Sequence, residues 1–208
     1  MKFWFGSLLA IGILASSAFA ADKKTDAKAK STTKAPIDTL ATLERAVARD
    51  SSNFDNLFQL GSLYIERDRP LDAQRVLNRA NKVKPKNVKV LTNLGASYDA
   101  SGSPAEAQAM YKQALAVSPG DMVASCRLAS SLYAEGKHQQ AMDILREVIQ
   151  QKPIAYCAYF TMGVAFADAG IYREAIRMWR KVMEIAPDSP EAASARESIE
   201  VLQKFVGM

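Results

Sequence analysis

Through the middle of the chain, apolar side chains fall at helical spacing in two stretches per 34 residues, each pair parted by a short polar turn. The first stretch of each period carries Leu60-Gly61, Leu94-Gly95, Leu128-Ala129 and Met162-Gly163, with Tyr64, Tyr98, Leu132 and Phe166 one turn later. The second stretch carries Ala73, Ala107, Ala141 and Ala175, followed four places on by Leu77, Tyr111, Leu145 and Trp179. Pro85, Pro119, Pro153 and Pro187 close the periods. Proline donates no backbone hydrogen bond and turns the residue before it away from helix, so each stops one helix and starts the next period. Gly102, Gly136 and Gly170 mark the turn in the last three periods, and Asp68 holds that place in the first.

The pattern predicts an all-α chain of four helical hairpins over residues 54–87, 88–121, 122–155 and 156–189. At each crossing, the glycine or alanine of the first helix is expected to face the alanine of the second, where a larger residue would be overpacked by about 1–3 kcal/mol. One hairpin cannot bury its apolar side alone, so the four must stack. A further helix fits residues 37–50, with Leu40, Leu43, Ala46 and Val47 on one face. It reads as the second half of a repeat, because one period before Leu77 and Ala80 lie Leu43 and Ala46. After Ser189 as N-cap and Pro190 in the first turn, residues 190–206 put Ala195, Ile199, Leu202 and Val206 on one face. Both flanking helices are expected to cap the stack.

These columns resemble the tetratricopeptide repeat, with its W-x2-L-G-x2-Y, A-x3-F and closing proline. The resemblance implies an α-solenoid, a right-handed superhelix whose first helices line a concave groove that binds a peptide or a partner domain. Carried over position by position, the groove residues are Asp55, Phe58, Ser62, Lys89, Asn93, Asp99, Arg127, Ser130, Tyr133 and Phe160, together with the less distinctive side chains between them. Phe58, Tyr133 and Phe160 are candidate aromatic anchors, with packing between neighbouring helices as the other reading. The family's carboxylate-gripping subclass uses five lysine, asparagine and arginine positions. Only Asn93 and Arg127 match them, and Phe58, Ser62 and Val123 occupy the rest, so that clamp is not expected. The family's geometry also brings Cys126 and Cys157 onto adjacent first helices. A structural disulfide is the expectation there, and two buried thiols the alternative.

The N-terminal residues change where this module is expected to work. Residues 1–20 join an early lysine, Lys2, to an apolar run and an Ala18-Phe19-Ala20 cleavage site, the pattern of a secretory signal peptide cut after Ala20. The run is shorter than a spanning helix needs, so no stable membrane anchor is expected once it is removed. Residues 21–36 hold five lysines, two aspartates and no large apolar side chain, a composition expected to stay disordered as a linker. A periplasmic or secreted protein follows.

Charge and chemistry narrow the function by what they lack. The formal net charge of +5 is modest and carries no basic stripe with interleaved aromatics, so nucleic acid is not an expected partner. His138 is the lone histidine, placed in the turn of the third hairpin, and one histidine cannot build a multi-ligand zinc site. No phosphate-cradling glycine loop or nucleophile elbow occurs. Glu106, Glu147 and Glu174 are expected on outward helix faces rather than converging. The expected protein is non-catalytic, without cofactor or small-molecule substrate. It would hold a protein or peptide partner and support assembly of an envelope complex, with a self-assembling scaffold as the alternative.

Overall fold

In the computed structural model, which describes residues 39–206, the chain is a succession of α-helices joined by short turns. The signal peptide and the lysine-rich segment expected over residues 1–36 lie outside the described residues. The helices are α1 Thr39–Arg49, α2 Phe54–Glu66, α3 Pro70–Val83, α4 Val88–Ala100, α5 Pro104–Val117, α6 Met122–Ala134, α7 His138–Gln151, α8 Tyr156–Asp168, α9 Tyr172–Ile185 and α10 Pro190–Val206.

Local chemistry sets the helix starts. Asn53, Asn87 and Asp121 each accept a hydrogen bond from the backbone N–H three residues on, at 3.0, 3.1 and 2.9 Å, and so satisfy one free donor at the head of α2, α4 and α6. Ala155 stands at the same place before α8 and supplies no such cap. Pro70 and Pro104 open α3 and α5, where a missing N–H costs nothing. Ser189 Oγ accepts from the Ala192 N–H at 3.1 Å at the head of α10. In the first hairpin turn Asp68 takes φ +53°, the left-handed region that Gly102 occupies at +76° in the second.

Packing follows a single rule. Each first helix packs on its own second helix, and each second helix packs on the next first helix. First helices also touch one another in series, α2 on α4, α4 on α6 and α6 on α8, whereas no second helix touches the next one among the described residues. A stack whose first helices meet while its second helices stand apart must curve with the first helices inside. The fold is therefore an α-solenoid with α2, α4, α6 and α8 on the inner side. Helix α1 packs on α2, and α10 closes the far end against α9 and α8.

The four alanines Ala73, Ala107, Ala141 and Ala175 have no exposed surface. A side chain added at Gly61 would come within 2.5 Å of Leu77, and additions at Gly95 and Gly163 would run into the rings of Tyr111 and Trp179. The atoms nearest each glycine are those of the large residue one helical turn beyond the alanine. Leu77 and Tyr111 are fully buried and Trp179 is 4% exposed, so each glycine is the hollow into which a large core side chain fits.

Polar stitches join successive hairpins at the same 34-residue interval. Gln74 Nε2 of α3 donates to the Ser97 carbonyl at 3.0 Å and to Ser101 Oγ at 2.8 Å. One period on, Gln108 Nε2 of α5 donates to Glu135 Oε2 at 2.7 Å and lies 3.5 Å from Ser131 Oγ.

Candidate functional site

Because the first helices face inward, their residues form the candidate site. On α2, Asp55 is exposed, and Phe58 is half-buried and stacks on Phe54 with ring centroids 6.2 Å apart. Lys89 is exposed at the start of α4. Ser62 and Asn93 meet across the first seam, where Asn93 Nδ2 donates to Ser62 Oγ at 2.9 Å. Part of the amide's hydrogen-bonding capacity is thus spent within the protein.

Asp99 is held more firmly. Tyr111 Oη donates to one of its carboxylate oxygens and Ser131 Oγ to the other, both at 2.8 Å. Burial raises the Asp99 carboxyl above its usual range, although these two donors and the Arg127 charge pull the other way. The same burial and the neighbouring carboxylate push the Tyr111 phenol up as well. Asp99 therefore anchors α4 to α5 and α6, and its oxygens are taken before any ligand arrives.

Arg127 and Ser130 are both exposed on α6. They line an open cleft of about 360 Å³ together with Asp99, Ser131, Ala134 and Glu135. Glu135 is also taken: hydrogen bonds from Lys137 and Gln108 hold its carboxyl below the usual range. Of the three charged side chains lining the cleft, the Arg127 guanidinium is the one presented outward with its donors uncommitted to the stitches described above. Tyr133, half-buried at the end of α6, donates to Asp168 Oδ2 at 3.2 Å, and its ring lies 4.5 Å from that of His138. Burial first, and then Asp168, push its phenol up to about 12. His138 itself is the first residue of α7 rather than part of the turn. Phe160 is half-buried on α8 and packs with Val164 against the core around Trp179.

Cys126 and Cys157 meet where α6 and α8 touch. Their Cα atoms are 6.1 Å apart and their sulfurs are joined. The inner side is thus divided by character. Its α2–α4 part is rich in polar groups, while the α6–α8 part sets the bridge, Val123, Phe160 and Val164 beside the single cation Arg127. Among the described residues, no group of three or more histidines, cysteines or carboxylates is placed to hold a metal ion. No helix there is long and apolar enough to cross a membrane. Glu106 and Glu147 are exposed on α5 and α7, and Glu174 is half-buried on α9.

Sequence reasoning missed the polar stitches and the cleft residue Glu135. The signal for them was present, since Gln74 and Gln108, and Ser97 and Ser131, stand one period apart.

A tetratricopeptide-repeat family model matches residues 100–153 and 132–199. The chain is a tetratricopeptide-repeat protein. Among solved structures, the repeat array is similar to TTC0263, a thermophilic TPR protein of Thermus thermophilus, with a TM-score of 0.67 at 16% identity over 78% of this chain and 89% of that one. It is also similar to MamA, with a TM-score of 0.58 at 22% identity over 70% of this chain and 85% of MamA. A third similar structure is YrrB, a TPR protein with an unusual peptide-binding site, with a TM-score of 0.53 at 23% identity over 76% and 81% of the two chains. At these identities the likeness concerns the fold. No curated protein matches the chain. Tetratricopeptide repeats serve as protein-interaction modules, and this chain is one.

Proposed function

We propose that the protein is an exported, periplasmic or secreted, non-catalytic interaction module that holds an extended peptide or a partner helix along the inner side of α2, α4, α6 and α8 and so supports assembly of a cell-envelope complex. The observation that carries this reading is the contrast within the inner side. Arg127 is exposed beside a cleft whose carboxylates are already engaged, and half-buried aromatic rings stand on either side of it along the array, Phe58 on α2 and Phe160 on α8. Ring anchors supply most of the affinity in such interfaces, and one charged donor fixes register. Asp55, Ser62, Lys89, Asn93, Ser130 and Tyr133 complete the proposed contact line. The envelope location rests on the leader pattern of residues 1–20.

Crosslinking in the native compartment tests the reading. Arg127→Ala and Phe58→Ala should each remove partner adducts that the unaltered chain forms, while circular dichroism stays unchanged. If both variants keep every adduct, the binding line is misplaced. End-to-end self-assembly has less support, because the outward side of α10 carries exposed Arg196, Glu197, Glu200 and Lys204 around a single exposed large apolar side chain among the described residues, Val201.

A further inference from the structure

The seam between the third and fourth hairpins departs from the 34-residue pattern in three places at once. The stitching glutamine of α3 and α5 becomes Met142 in α7, and the positions it would reach are Ala165 and Ala169 in place of Ser97 and Ser101, or Ser131 and Glu135. The side-chain cap that opens α2, α4 and α6 is missing from α8, where Ala155 stands. The same seam carries the Cys126–Cys157 bridge, at positions held by Phe58 and Lys89 in the first seam and by Thr92 and Val123 in the second. Besides the bridge, an exposed hydrogen bond from Tyr133 Oη to Asp168 Oδ2 joins α6 to α8.

We propose that this seam is a redox-gated joint. With the bridge closed, α8, α9 and α10 are fixed to the hairpins before them. With it open, they unfold and reclose as one cooperative unit, independently of the hairpins before them. This goes beyond the binding reading above and does not rest on it. It bears on binding all the same, because Arg127 and Phe160 stand on the two helices that the bridge ties, so opening alters the spacing between them.

Opening requires an external dithiol. Its thiolate attacks Cys157 Sγ, which is half-buried, while Cys126 is 5% exposed. The sulfur–sulfur bond breaks and Cys126 leaves as a thiolate. The second thiol of the reductant, as its thiolate, then displaces Cys157 from the mixed disulfide. The reductant ends as a disulfide, and the two protons it brought end on Cys126 and Cys157. The glutamine stitch of the first two seams has no counterpart here, so the exposed Tyr133–Asp168 hydrogen bond is left to link α6 to α8, whereas the first two seams hold the same positions without any sulfur.

Amide hydrogen exchange on the intact chain, read peptide by peptide with and without dithiothreitol, tests the joint after thiol counting has established the bridge. Reduction should raise exchange in the segments joining α7 to α8, and in α8 to α10, roughly tenfold, while α2 to α5 stay within about twofold. The Cys126→Ser, Cys157→Ser variant should behave as the reduced chain does. Adding Met142→Gln, Ala165→Ser and Ala169→Ser to it should restore protection towards that of the oxidised chain. Equal thiol labelling before and after reduction would overturn the proposal. So would exchange in α8 to α10 that ignores the reductant, because the seam then holds without the bridge, or exchange that rises equally in every helix, because the bridge is then a general staple and no joint exists.

Discussion

From α3 and from α5 a glutamine reaches into the next hairpin and finds a serine-rich site waiting; from α7 a methionine reaches towards alanines, and a disulfide spans the seam instead. The two solutions differ in where their free energy comes from. A buried hydrogen bond stabilises by about 1 kcal/mol net, yet removing one partner costs about 1–3 kcal/mol because the other is left unsatisfied. A bridge acts mainly by restricting the opened chain and contributes about 4 kcal/mol for a loop of this size. In a stacked array each hairpin feels only its neighbours, so total stability is close to a sum of hairpin and seam contributions. The lesson is that the first two seams are insensitive to their redox surroundings by construction, and the third is not.

Five variants sharpen the contrast. Largest is the loss of the bridge: Cys126→Ser with Cys157→Ser should lower the stability of the C-terminal hairpin by about 4 kcal/mol. Trp179, buried in α9, reports on that hairpin, so its fluorescence in a urea titration should change before the circular dichroism of the whole array does. Coincident transitions would mean that the seams are not independent. Next comes Gln108→Leu, which leaves shape nearly intact but strips the second seam of its donor. It should cost about 2 kcal/mol in the same titration, while Met142→Leu at the matching place should cost well under half of that.

Asn87→Ala, which removes the cap of α4, should lower stability by about 1 kcal/mol. No comparable cap is present at α8 to be lost. Smallest is Asp68→Gly, which relieves a left-handed backbone held by a side-chain-bearing residue and should raise the thermal midpoint by an amount corresponding to about 0.5 kcal/mol. A lowered midpoint would show that the aspartate side chain contributes more than its backbone costs.

The helices were legible because their determinants are local and unforgiving. Ala73, Ala107, Ala141 and Ala175 have no exposed surface, so a larger side chain would have to displace its neighbours and the column stays clean. Trp179 continues the column of Leu77, Tyr111 and Leu145 and is buried as they are, which the column alone makes legible. That the nearest neighbour of Gly61, Gly95 and Gly163 is the large residue one turn beyond the alanine was not legible, since spacing along a helix identifies a face but not which residue on that face comes closest. Less of the candidate site could be read. The resemblance places residues such as Asp99 on the inner side, but that Tyr111 and Ser131 already occupy both its oxygens depends on side-chain rotamers and on the neighbouring hairpin. Gln74 and Gln108 look like ordinary solvated glutamines until the next hairpin is laid beside them.

That the inner side of the array receives the partner is tested most directly by site-specific photocrosslinking in cells. A photoreactive residue would be placed in turn at Lys89, Arg127 and Phe160 on the first helices, and at Lys112, Arg146 and Arg180 on the second. The account predicts one partner adduct, of constant mass after allowance for position, from the first three sites and none from the last three. Adducts of equal yield from Lys112, Arg146 and Arg180 would contradict it.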